Sequence, residues 1–115
     1  MFTYAGEPTI EHGTSTAPAI KTIESFDPWN CFSYTEWRLD KKLPPMRYIR
    51  PNTTASVGTV AVMYYPKSGL RHFAFVEFVS ENLILLSETN FKQGEVGFRV
   101  IPRNDPALQG FWQPV

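Results

Sequence analysis

From residue 57 onward the chain runs in short apolar blocks, each closed by a turn signal. "VGTVAVMYY" (57–65) is rich in β-branched and aromatic residues and predicts a strand, ended by the turn "PKSG" (66–69). "HFAFVEFV" (72–79), "LILLSETN" (83–90) and "GFRVIP" (97–102) predict three more, separated by the hairpin turn "SEN" (80–82) and the bend "FKQGEV" (91–96). "NDPALQGFW" (104–112) closes the domain with a turn and a last aromatic segment. Upstream the period changes. In "DPWNCFSYTEWRL" (27–39), Phe32, Trp37 and Leu39 mix with Ser33, Thr35, Glu36 and Arg38, which suits a helix of three turns. Asp27 is a good N-cap and Pro28 suits the first helical position; "LPP" (43–45) stops the helix, which places its end near Lys42. One helix followed by an antiparallel sheet of four to six strands is an α+β domain.

Residues 1–25 show no sustained period and are rich in Thr, Ser, Ala, Gly and Pro, so they read as an N-terminal arm with a short helical turn near 19–23. The domain proper is then 26–115, a single domain in a chain of 115 residues. Hydrophobic residues make up 43% and aromatics 15%, enough for a core without disulfides or metal. Eleven basic residues balance eleven acidic ones, so there is no electrostatic footprint for nucleic acid or an anionic membrane surface. No apolar run reaches the length of a membrane-spanning helix, and "MFTYAGEPTIEHG" lacks the pattern of a secretory signal.

Cys31 is the one cysteine, which excludes an internal disulfide and a Cys-rich zinc site. Two histidines with no HExxH pattern give no reason to expect a metal. Cys31 is then either a small core residue or a reactive thiol. Its place in the first turn of the helix favours the thiolate, because unpaired N–H groups carry partial positive charge there. A nucleophilic cysteine needs a base and a group that orients the base. His72 opens the second strand, while Glu88 and Asn90 end the third on one face, with Thr89 opposite. The short hairpin at 80–82 sets the start of one strand beside the end of the next, so His72 is expected next to Glu88 and Asn90. Trp29, Phe32 and Trp37 read as core, with a groove wall as the second role for Trp29. His12 lies in the arm and receives no role.

The order of these pieces resembles the CHAP domain, the cysteine- and histidine-dependent amidohydrolase/peptidase family related to papain-like and NlpC/P60 peptidases. The matching segments are "NCFSYTEWRL", "VGTVAVM", "RHFAFVEFV", "LILLSETNF" and "GFRVIPRNDPALQGFWQP", spanning about residues 27–112. Three positions depart from the family pattern: Asn30 stands where glutamine often precedes the cysteine, Arg71 where glycine often precedes the histidine, and Thr59 where aspartate often follows Gly58. Some members bind calcium through an acidic loop before the cysteine; Glu24 and Asp27 alone make a poor oxygen cage, and no metal or other cofactor is expected.

The resemblance implies a papain-like fold and hydrolysis of an amide bond in bacterial peptidoglycan, by an N-acetylmuramoyl-L-alanine amidase or a peptide endopeptidase. Cys31 would be the nucleophile, His72 the base, and Glu88 the orienting group supported by Asn90. The Cys31 N–H and the Asn30 side chain would form the oxyanion site, with the groove lined by loops 43–56 and 91–96. An added wall-binding domain or a virion protein would be the macromolecular partner, and the routes to the wall would be release by a holin, carriage on a phage virion, or export as part of a larger secreted chain. The other readings are an amidase for a small amide conjugate and a non-catalytic module of a phage virion.

Overall fold

The computed structural model describes residues 25–89 and 95–115. Five strands form one antiparallel sheet: β1 (Val60–Tyr65), β2 (Leu70–Val79), β3 (Leu83–Glu88), β4 (Gly97–Pro102) and β5 (Leu108–Trp112), in the order β4-β3-β2-β1-β5. With α1 (Cys31–Leu39), the one α-helix among the described residues, this is the α+β class expected from the pattern. The central strand β2 is buried without interruption from His72 to Glu77, because both of its faces are covered.

Side-chain alternation sorts the apolar residues onto those two faces. Ala61 and Met63 of β1, Ala74 and Val76 of β2, Ile84 and Leu86 of β3, with Ile101 and Phe111, form one core. Val60, Val62, Phe73 and Trp112 face the other way, where Leu43, Ile49, Phe32, Leu39 and Cys31 pack on them. The register agrees with this division, since Val62 lies opposite Phe73 and Ala61 opposite Ala74.

The helix begins three residues later than the sequence suggests. Asn30 is the N-cap: its backbone is extended and its side-chain oxygen accepts from the N–H groups of Phe32 and Ser33 at 2.9 and 3.2 Å. Asp27 spends its carboxylate on a local turn, accepting from the Trp29 N–H at 2.9 Å, while the Asn30 N–H returns to the Asp27 carbonyl. The "DPWN" stretch holds two competent caps, and the turn takes the first. The far end also comes early. Asp40 adopts a left-handed conformation (φ 61°), and its N–H reaches the carbonyls of Glu36 and Trp37. The helix therefore stops before Lys41 and Lys42, without help from the prolines.

Three further boundaries differ. β1 starts at Val60, because Gly58 turns the chain with a positive φ and donates to the Val76 carbonyl. β2 starts two residues before His72. β3 stops at Glu88. The expected turn at 19–23, His12, Glu24 and Asn90 lie outside the described residues, as does most of the 91–96 bend. Trp29 is 60% exposed and not in the core, a consequence of its place in the turn before the helix.

A buried polar network sets the helix on the sheet. Arg38 Nε and Nη2 donate to the two oxygens of Glu77, each at 2.8 Å. Ser87 Oγ donates to Glu77 Oε2 at 2.7 Å, the Tyr34 hydroxyl donates to Ser87 Oγ at 2.9 Å, and the guanidinium lies 4.3 Å from the Phe75 ring centre. One helix face is thereby tied to β2 and β3, which fixes where the helix N-terminus lands. The cap itself is worth about 1 kcal/mol by general experience with Asn-to-Ala changes. Asn30→Ala is expected to lower the melting temperature by about 4 °C in a calorimetric scan, and Asn30→Ser, which restores a cap oxygen, to recover most of it.

Candidate active site

Cys31 is the first residue of α1, directly after its cap. Its sulfur is half-buried, and three groups act on it to favour the thiolate: the His72 side chain, the Phe73 backbone N–H and its own backbone N–H. The second of these follows from the sheet. The pairing of β2 with β3 runs only from Phe75↔Ser87 to Val79↔Ile84, so the start of β2 has no β3 partner among the described residues. The helix N-terminus meets the strand there. Thr89 strengthens the junction, its hydroxyl donating to the Asn30 carbonyl at 3.2 Å.

His72 is 7% exposed and lies opposite Met63 of β1. Its Nε2 is 2.7 Å from Glu88 Oε1. With Nε2 committed to the carboxylate, Nδ1 is the nitrogen left for Cys31. Glu88, the last residue of β3, is 2% exposed and has a second partner, Arg99 of β4. Arg99 Nε donates to Oε2 at 2.7 Å and Nη2 to Oε1 at 3.1 Å. The Tyr65 ring lies 6.2 Å from the imidazole, centre to centre.

The charges reinforce one another. Burial alone would push the Cys31 thiol up, yet the hydrogen bond and charge of His72, with the two backbone N–H groups, hold it below its ordinary value. Burial works against the imidazolium, but the contacts with Cys31 and Glu88 outweigh it and raise His72 to about 9. Burial likewise opposes the Glu88 carboxylate, and His72 and Arg99 together keep it below the usual carboxylate value. A thiolate beside an imidazolium, backed by a carboxylate, can add to an electrophilic carbon and then protonate a leaving group.

The remaining candidates take these positions. Asn30 uses its side-chain oxygen as the cap, and its Nδ2 makes no hydrogen bond among the described residues. Trp29 stands exposed two residues before Cys31. Of the 43–56 loop, Ile49 shares the core with Cys31, while Met46 and Tyr48 are exposed on a short 3₁₀ turn (Met46–Tyr48). Arg71 holds that turn to β2 by donating to the Met46 and Ile49 carbonyls, and this accounts for an arginine before the histidine. The sequence reading missed Arg99, Tyr65 and Thr89. A signal for Arg99 existed: it is the lone charge in "GFRVIP", and β4 places it on the same face as Glu88. Among the described residues no group of three or more His, Cys, Asp or Glu is arranged to hold a metal, and no helix is long and apolar enough to cross a membrane. No family model, curated protein or solved structure matches this chain.

Proposed function

We propose that this chain is a CHAP-type cysteine amidohydrolase/peptidase of papain-like fold, which cleaves an amide bond in bacterial peptidoglycan. One observation carries the reading: Cys31 at a helix start, and a buried His72, which favours its thiolate, held 2.7 Å from Glu88 on its far side. The peptidoglycan substrate rests on the sequence resemblance alone.

In this reading the Cys31 thiolate attacks the amide carbonyl carbon, and the carbonyl π electrons move onto oxygen. The Cys31 N–H and Asn30 Nδ2 receive that oxyanion. Collapse of the adduct breaks the C–N bond, and the His72 imidazolium gives its Nδ1 proton to the departing amine. His72, now neutral, takes a proton from water, whose oxygen attacks the thioester. The acid product leaves and the thiolate returns. Glu88 accepts from Nε2–H throughout, which keeps Nδ1 facing the sulfur. Trp29 and Tyr48, exposed on the segments flanking the site, would contact the glycan or stem peptide.

The test is digestion of purified peptidoglycan from several bacterial types, with mass spectrometry of the released fragments. Wild type is expected to release fragments with new amine and carboxyl termini, which name the bond cut, and Cys31→Ala to release none. Folded wild type that releases nothing from any wall type would sink the peptidoglycan reading and leave a small amide conjugate, or a virion module without turnover, as the role. Asn30→Ser separates the two uses of Asn30. It keeps the cap, and loss of the Nδ2 donor is expected to lower kcat by about 10²-fold.

A further inference from the structure

We propose that Arg99, steadied by the Tyr65 hydroxyl, is a positioning residue for the Cys31–His72 pair and acts through Glu88. This rests on the reading of Cys31, His72 and Glu88 as the catalytic set. Arg99 is remote from the sulfur in that scheme, and its geometry gives it a definite task. Its fork takes both Glu88 oxygens, Nε on Oε2 and Nη2 on Oε1, so the plane of the carboxylate is fixed. Oε1 is thereby aimed at His72 Nε2. Nη2 also donates to the Tyr65 hydroxyl at 3.1 Å and lies 3.6 Å from Met63 Sδ. The guanidinium therefore reaches from β4 past β3 and β2 to side chains of β1.

The chemical consequence concerns which partner holds the proton. A carboxylate can only accept, so Nε2 must carry hydrogen and Nδ1 of the neutral ring is free to take the thiol proton. A protonated Glu88 would donate to Nε2. The ring proton would then sit on Nδ1, facing the sulfur, and no base would remain. Among the described residues, the groups that face Glu88 are His72 from β2 and Arg99 from β4, with Tyr65 of β1 behind the guanidinium and Cys31 of α1 behind the imidazole. Arg99 is the permanent positive charge among them, and it keeps Glu88 an acceptor.

The experiment is the rate of Cys31 alkylation by iodoacetamide as a function of pH, which needs no amide substrate. It compares wild type with Arg99→Met, Arg99→Lys, Tyr65→Phe, Glu88→Gln and the Glu88→Gln/Arg99→Met double variant, each checked by thermal melting. Arg99→Met is expected to slow alkylation at pH 6 about tenfold and to move the acid limb up by about one pH unit. Arg99→Lys should recover part of this, and Tyr65→Phe should shift the limb the same way by less. The double variant should shift no further than Glu88→Gln, because the two residues act in series. A variant series that melts lower but keeps the wild-type pH profile would make Arg99 structural only and overturn the proposal. If Arg99→Met does not fold, unchanged profiles in both Arg99→Lys and Tyr65→Phe overturn it equally. Wild type that reacts only above pH 8 overturns the underlying catalytic set as well, and its own curve separates that failure from the first.

Discussion

Replacing His72 with alanine is expected to slow Cys31 alkylation at pH 6 by about 10²-fold or more, and to lower amide turnover by at least about 10³-fold. Two forces favour the thiolate, and their sizes decide which dominates. A helix N-terminus is worth about 0.3–1 kcal/mol to a nearby charge, less than one pKa unit. A hydrogen-bonded imidazolium in a buried site supplies more, and it is what outweighs the burial of the sulfur. Without His72, burial prevails and the thiol is pushed up. At pH 6 a thiol titrating near 8.5 is only about 0.3% ionised. Wild-type turnover should be bell-shaped, since it requires thiolate and imidazolium together. The acid limb follows the lowered Cys31 value, and the alkaline limb follows the loss of the His72 proton near pH 9. The same values govern stability. His72, raised from 6.5 to about 9, contributes fully below pH 6.5, and that contribution is lost as pH rises through 9. Glu88, lowered from 4.5, contributes above 4.5, and that contribution is lost as pH falls through its folded value. A His72→Ala protein that still alkylates rapidly at pH 6 would show that the helix end alone activates Cys31, and would remove the basis for the catalytic pair.

How the candidate site could be read from the sequence depended on which interactions are local. The meeting of His72 and Glu88 follows from strand alternation and a short hairpin, two rules that act over a few residues, and the α+β order follows from the change of period near residue 57. The hairpin also brings in a bulge between Val76 and Phe78, which alternation alone does not foresee. The helix start was misread because Asp27 and Asn30 are equivalent as caps, and only the turn geometry separates them. Arg99 and Glu88 come from different strands, and the register of β3 with β4 decides whether they meet. Arg38 and Glu77 are further apart still, 39 residues in sequence. Each looks like an ordinary surface charge until the helix is laid on the sheet. Trp29 shows the converse: its composition suggests core, but the turn that precedes the cap carries it outward.

Truncating Arg38 to alanine is expected to destabilise the fold by about 3–5 kcal/mol in urea denaturation, the largest stability effect anticipated for this protein. The cost arises less from the pair itself than from what remains. Glu77 is fully buried, and with Arg38 gone its carboxylate retains only the Ser87 hydroxyl as a described partner. A small domain has about 5–15 kcal/mol in total, so the loss would take roughly a fifth or more of the margin. A control separates the two contributions. Arg38→Met with Glu77→Leu removes both charges together and is expected to recover much of the stability, because apolar replacement of a buried pair is often near neutral. Recovery of stability need not restore function. The bidentate bond sets the rotation of α1 on β2, and the helix start must meet Phe73 and His72 for Cys31 to be activated. The double variant is therefore expected to fold yet to alkylate more slowly than wild type at pH 6. An Arg38→Ala loss below about 1 kcal/mol would mean that the pair does not anchor the helix, and full pH 6 reactivity in the double variant would mean that apolar packing alone places the cysteine.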